Sequence, residues 1–340
     1  MPSVTIIIVT WNSGKHLPHC LQCLAAQTYS GFQVMVVDNG STDGATDRLE
    51  QDWPALHLHV HHLDKNYGFA AANNIGARLA DSQWVALLNT DAFPEPNWLE
   101  RLVETAKNRP EFSFFASRQI QANTPDFSDG AGDAYHVSGL AWRNYLGFPV
   151  GLFDLESKEV FGACAAAALY TREAFLDVGG FDEDFFSYFE DVDLSFRLRL
   201  RGYRCLYVAD AVVHHIGSAT LGLVSDFALY YSHRNLIWTF AQNMPFPLLW
   251  IYLPAHLIAN LIYLAYYTLR GRGKILWQAK RDAFLGLARV LRKRQEIQAR
   301  RKVNSGDLKR AMEHGWLQPY LLGYHARQAG RILAARSKNK

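Results

Sequence analysis

Hydrophobic residues fall along this chain in short closed runs with helical stretches between them. Val4 to Thr10, Phe32 to Asp38 and Trp84 to Leu88 are apolar runs of strand length. Runs without alternation mark strands buried on both faces, as in a parallel sheet. Helices are predicted over Gly14 to Ala26, Asp43 to Gln51 and Phe69 to Ala80, with Trp98 to Lys107 after the third of those strands. That alternation predicts right-handed βαβ units in a wound α/β sheet, mainly parallel and flanked by helices. Ligands of such sheets sit at the carboxyl ends of strands. Polar clusters fall there: Thr10-Trp11-Asn12, Asp38 to Asp43, and Asn89-Thr90-Asp91.

One segment sets two signals against each other. From Val192 to Leu200 every second residue is apolar, which by period alone predicts a strand. Acids crowd its start, Arg197, Arg199 and Arg201 crowd its end, and Gly202 follows as a stop, so a helix is expected.

Composition changes the picture mainly through charge. The 340 residues carry a net +3, yet residues 270–340 hold 19 Lys or Arg against four Asp or Glu, so the front of the chain is acidic. Such a front suits metal-bridged phosphates, and the basic tail suits an anionic surface. Four cysteines are too few for a disulfide scaffold and imply a reducing compartment. Cys20 and Cys23 lie in an expected helix and read as two small buried thiols rather than a zinc or redox pair. The N-terminus, without a basic stretch or a small-residue cleavage site, reads as a first strand.

The first turn, Thr10 to Lys15, contains no G-x-G-x-x-G, which excludes the usual dinucleotide cradle, and the chain has no P-loop. A bound diphosphate would need a cation held by carboxylates. Asp91, directly after a buried strand, can hold Mg²⁺ or Mn²⁺, although an acidic turn residue explains it equally well. Glu190, Asp191 and Asp193 could simply complement a helix dipole. Their position after Gly179-Gly180-Phe181-Asp182 and a run of aromatics suggests instead a carboxylate shielded from water and made more basic. His215 closes an apolar strand, as a half-exposed polar residue or as an imidazole completing a metal shell.

Taken in order and spacing, these segments resemble the inverting family-2 glycosyltransferases of the GT-A fold, particularly the rhamnosyl- and galactofuranosyl-type enzymes of bacterial polysaccharide assembly. The matching residues are Val4 to Asn12, Val36 to Asp43, Asn66 to Gly76, Leu87 to Asp91, Gly179 to Glu183, Glu190 to Leu194 and His215 to Ser218. The resemblance implies a nucleotide-sugar donor with a uracil or thymine base, Asp38 on that base, Thr10 and Asn12 lining the nucleoside pocket, and Asn74 and Asn89 near the diphosphate. It further implies Asp91 and His215 as ligands of Mg²⁺ or Mn²⁺, Asp191 as general base, and Glu190 positioning the acceptor. Many relatives carry Asp where this chain has Asn89, so any metal contact from there would be weaker.

A catalytic domain is therefore expected over residues 1–240 and a helical, membrane-associated region over 241–340. From Asn235 to Leu269 there is no charged residue, and Phe246 to Leu269 is long enough to span a bilayer. A crossing would put the basic tail on the far side from cytoplasmic nucleotide sugars, against the positive-inside tendency. An in-plane or re-entrant segment on the cytoplasmic face of the inner membrane, with the tail on anionic lipid and a lipid-linked glycan as acceptor, reconciles both facts. A true span and an ordinary buried helix are the alternatives. Nucleic-acid binding by the tail is disfavoured by the adjoining uncharged stretch. Two rival functions remain: a nucleotidyltransferase, which would need a basic Gly-rich first loop, and a non-catalytic sugar-nucleotide-binding module.

Overall fold

The computed structural model describes residues 2–152, 155–217, 225–315, 317–319 and 321. Ser218 and the basic residues beyond 321 lie outside these. The front of the chain runs β1 (Val4–Thr10), α1 (Leu17–Ala25), β2 (Phe32–Asp38), α2 (Leu49–Asp52), β3 (Leu58–His62), α3 (Phe69–Leu79), β4 (Trp84–Leu88), β5 (Ala92–Pro94) and α4 (Trp98–Asn108). It continues through β6 (Phe114–Gln121), β7 (Ser128–Ala131), β8 (Asp133–Tyr135), β9 (Ala141–Arg143), β10 (Lys158–Val160), β11 (Ala167–Thr171), α5 (Arg172–Asp177), α6 (Glu190–Leu200) and β12 (Cys205–His215). Five helices follow: α7 (Asp226–Asn243), α8 (Leu248–Leu269), α9 (Gly273–Leu285), α10 (Leu287–Ala299) and α11 (Ser305–Ala311).

The main sheet has the order β10-β12-β6-β11-β4-β1-β2-β3, with β5 paired to β12 and β7 to β6. Its β4-β1-β2-β3 half is the expected parallel, wound unit. Beyond β4 the sheet is mixed, because β11 runs antiparallel to both β4 and β6. Alternate residues of β1 feed opposite cores: Ile6 and Ile8 pack with α1 and α4 on one face, and Ile7 packs with α3 and α6 on the other. The second face is crowded, since a Cβ on Gly76 of α3 would lie 2.6 Å from Ile7 Cγ2.

Three expectations need correction. The helix expected over Asp43 to Gln51 is only Leu49–Asp52; upstream, side chains capture the backbone, with Asp43 accepting from the Ala45 N–H and Asp38 from the Ser41 N–H. Helix α1 starts at Leu17 rather than Gly14. Of the two thiols expected to be buried, Cys20 is and Cys23 is half-buried, and all four cysteines are free. The helix expected despite the alternating pattern is α6, buried around most of its circumference, which is why its apolar spacing carries no 3.6-residue period.

Candidate active site

Asp91 and His215 come together through strand pairing. β5 runs antiparallel to β12 with Ala92 opposite His215, so the residue just before β5 meets the end of β12. His215 Nε2 lies 3.4 Å from Asp91 Oδ1, and the Gly217 N–H donates to Asp91 Oδ2 at 3.3 Å. Burial opposes ionisation of Asp91, but the His215 and backbone hydrogen bonds outweigh it and hold the carboxyl below its ordinary range. The other imidazole nitrogen, Nδ1, sits 2.8 Å from Oδ2 of Asp129, a residue only 2% exposed. For His215, burial disfavours the cation, yet contacts with Asp129 and Asp91 raise its pKa above the usual value. Arg143 Nη1 donates to the same Asp129 oxygen at 2.5 Å.

Asp191 reaches the same cleft from the first turn of α6. One loop bridges the two sides: the Asn89 N–H donates to Ala166 O at 2.9 Å, and the Ala165 N–H donates to Asp191 Oδ2 at 3.2 Å. The Val192 N–H holds Asp191 Oδ1 at 2.9 Å. Beside it, Glu190 is buried and its Oε2 has no hydrogen-bond partner among the described residues; burial first, then the Asp191 charge, push its carboxyl well up. That direction favours the proton-bearing carboxyl, which can donate a hydrogen bond. Asp133 also faces the cleft, and burial together with the Asp191 charge raises its carboxyl to about 8.

The turn before α6 is strained. Phe186, Tyr188 and Phe189 have φ of 65°, 65° and 67°, unusual for side chains of that size. Asn235 of α7, fully buried, holds them by donating from Nδ2 to the carbonyls of Phe185, Ser187 and Tyr188 at 3.1, 3.1 and 2.7 Å. We expect Asn235→Ala to lower stability by about 3 kcal/mol, the usual size for orphaning buried carbonyls, measured by urea unfolding; a variant as stable as wild type would show that the turn holds itself.

Asn89, Asp91, Glu190, Asp191 and His215 thus line one cavity of about 400 Å³, within the range of ligand sites. A larger cavity, about 800 Å³, shares Asp133 and Trp142 with it and contains none of those five. Thr10, Asn12, Asp38 and Asn74 do not line the cleft. Asp38 accepts from Ser41 N–H, Thr46 Oγ1 and His62 Nδ1, bonds that hold its carboxyl low against the opposing effect of burial. Asn12 accepts from the Thr42 N–H, and the buried Thr10 hydroxyl has no partner among the described residues. Asn74 bonds Phe181 through both N–H and carbonyl and also donates to Glu183, so it ties α3 to the Gly179–Glu183 turn. Asp129 and Arg143 escape sequence reasoning, since no motif surrounds them; the acids within Ser128-Asp-Gly-Ala-Gly-Asp133 were the available signal.

Among the described residues no three His, Cys, Asp or Glu side chains form a metal-holding group. Asp91 and His215 nevertheless fit a divalent cation of the Mg²⁺ or Mn²⁺ type, which binds through one or two protein ligands plus substrate phosphates and waters. The Asp129–His215 contact is the carboxylate–histidine support common behind such ligands.

This sheet, with an acid and a histidine at its strand ends, is that of GT-A glycosyltransferases. Residues 5–179 match the glycosyl transferase family 2 profile, and the chain belongs to that family and is a glycosyltransferase that uses a nucleotide sugar. It is 30% identical over 238 residues to the N-acetylglucosaminyl-diphospho-decaprenol L-rhamnosyltransferase of Mycobacterium tuberculosis, covering 63% of this chain and 76% of that protein. It is 29% identical over 227 residues to the O-antigen biosynthesis protein RfbC of Myxococcus xanthus, covering 63% of this chain but 17% of that protein. A solved mannosyltransferase from Pyrobaculum calidifontis, in complex with GDP-Man and Mn²⁺, shares the fold at a TM-score of 0.53 and 19% identity, over 83% of this chain and 87% of that one. GalNAc-T7 with UDP, GalNAc and Mn²⁺ aligns at 0.57 and 18%, over 71% and 48%.

Proposed function

We propose that this chain is an inverting enzyme that moves a sugar from a UDP- or dTDP-linked donor to a hydroxyl of a lipid-linked glycan, at the cytoplasmic face of a bacterial inner membrane, in cell-surface polysaccharide synthesis. The convergence of Asp91, Asp191 and His215 on one cleft carries the reading. Inversion needs a single displacement with a base on one side of the anomeric carbon and a stabilised leaving group on the other. Asp191 takes the proton of the acceptor hydroxyl, that oxygen bonds the anomeric carbon, and the bond from that carbon to the β-phosphate oxygen breaks, releasing the nucleoside diphosphate. Glu190, next to Asp191 in the cleft lining, orients the acceptor. Asp91 and His215 would hold a divalent cation, which would supply charge neutralisation for the leaving diphosphate. The M. tuberculosis relative, named for transfer to a decaprenyl-diphosphate-linked sugar, supports the acceptor class.

The test is transfer by purified protein from a panel of UDP- and dTDP-sugars to polyprenyl-diphosphate N-acetylglucosamine, with the product's anomeric configuration read by NMR. An inverted, divalent-metal-dependent product is expected. A retained configuration, or no transfer from any donor, would overturn the reading.

Membrane attachment is favoured by the surface of α8 and α9. α8 is 22 residues long and apolar enough to cross a bilayer, yet two polar residues in its middle face the protein: His256 bonds Ser138 O at 2.9 Å, and Asn260 Oδ1 accepts from the half-buried Lys280 of α9 at 2.5 Å. A crossing would tear both contacts out, whereas lying in the membrane plane keeps them. The outward side presents Trp250, Leu257, Leu261 and Trp277, at 61%, 54%, 64% and 62% exposure, beside exposed Arg270, Lys274 and Arg281. That combination suits the headgroup boundary of an anionic bilayer. Leu261→Glu should lower binding to anionic vesicles about tenfold, given about 1.5 kcal/mol or more per buried leucine. Co-sedimentation unchanged by the substitution would remove α8 from the contact.

A further inference from the structure

The cleft is acidic before any phosphate enters it. Asp91, Asp133, Glu190 and Asp191 line it, and Arg143 is the single Lys or Arg among its described lining residues. The place of that arginine is built. Its strand β9 pairs with β8 so that Arg143 lies opposite Asp133. Across from it, a Cβ on Gly130 would lie 3.1 Å from Arg143 Cβ and 3.2 Å from Cδ, so the stem occupies space that a side chain at 130 would contest. At the far end, Nη1 is anchored by Asp129, whose side chain is 3% exposed. Arg143 itself is 31% exposed, and its remaining guanidinium donors have no partner among the described residues. A guanidinium carries five donors in a planar fork matched to phosphate oxygens. One is used for anchoring and the rest stay available to the cleft.

We propose that Arg143 is a diphosphate-binding residue, donating to β-phosphate oxygens of the nucleotide-sugar donor and of the nucleoside diphosphate left after transfer. The assignment rests on the reading of the cleft as the donor site. Charge accumulates on the β-phosphate as its bond to the sugar breaks, and a cation already fixed there stabilises it without reorganising. Asp129 gives the arrangement its spacing, because one oxygen holds both Arg143 and His215. The arginine and the Asp91–His215 pair then address the diphosphate from two separate points.

The test compares diphosphates with monophosphates. Calorimetric titration with UDP, dTDP, UMP and dTMP in the presence of Mn²⁺ is run on wild type, Arg143→Gln, Arg143→Lys and Gly130→Ala, alongside Mn²⁺ binding without nucleotide. Arg143→Gln should weaken the diphosphate that binds by about 10- to 100-fold, the range of a charge-assisted contact, with the monophosphate changed less than about twofold and Mn²⁺ affinity unchanged. Arg143→Lys should fall between. Gly130→Ala, which keeps the charge but displaces the stem, should also lose diphosphate affinity selectively, and carries the test if Arg143→Gln does not fold. Equal losses for mono- and diphosphates, no loss, or a matching loss of Mn²⁺ affinity would overturn the assignment while leaving the cleft reading intact. Wild-type protein that binds none of the four nucleotides would overturn the cleft reading and this assignment with it.

Discussion

Asp191→Asn is expected to bind donor as tightly as wild type and to lose transfer by about 10²- to 10⁴-fold, the usual contribution of a positioned general base. The substitution keeps shape and removes proton affinity. In the native protein the Ala165 and Val192 N–H groups hold the two carboxylate oxygens at 3.2 and 2.9 Å, and the N-terminal turn of α6 favours a negative charge there. An asparagine satisfies one of those donors and cannot take the acceptor's proton. Donor hydrolysis should fall in parallel, since water attacking the anomeric carbon needs the same base. A second consequence reports the Asp191 charge itself. The Asp191 charge helps keep the neighbouring Asp133 carboxyl high, so the asparagine variant should titrate Asp133 at lower pH, measurable by NMR of labelled aspartate. Transfer within about tenfold of wild type, on any acceptor that wild type uses, would remove Asp191 from the role of base.

What the sequence reveals and conceals follows from how local each interaction is. β1, β2 and β4 are legible because a strand covered on both faces must be apolar throughout, and that requirement is written in consecutive residues. β3 carries no such mark: Leu58–His62 includes three histidines and is only partly covered. α6 shows the opposite difficulty. Its alternating pattern arises because Asp193 and Arg197 are buried as an ion pair at 2.7 Å and Arg199 is buried against Phe161 O at 3.0 Å, so polar residues occupy core positions and blur the helical period. The terminal signals, acids at the start and Gly202 at φ +91° after its end, survive because caps are local. The cleft divides in the same way. Asp91, Asp191 and His215 sit in motifs and are legible; Asp129 and Arg143 are found only through contacts across 86 and 14 residues. The same holds for α8, where His256 and Asn260 interrupt an otherwise apolar helix and their roles show only in contacts with Ser138 and Lys280, distant in sequence.

Asp129→Asn is the second large effect, expected as a 10- to 100-fold loss of Mn²⁺ affinity, the usual cost of removing the partner behind a metal-binding histidine. Oδ2 of Asp129 faces His215 Nδ1 at 2.8 Å and so favours the tautomer that carries its proton there, leaving Nε2 available on the side of Asp91 Oδ1, 3.4 Å away. An asparagine can still accept from Nδ1, but it loses the charge and turns an N–H₂ group toward space shared with Arg143. Histidine orientation and basicity therefore weaken together. Because the defect lies in occupancy, excess Mn²⁺ should restore much of the transfer rate to Asp129→Asn and none to Asp191→Asn. This separates the two carboxylates by function: Asp191 lines the cleft, and Asp129 is buried behind His215. Mn²⁺ affinity equal to wild type in the asparagine variant would mean that Asp129 supports the fold alone, and His215 would then have to be removed from the metal-binding pair or shown to orient without it.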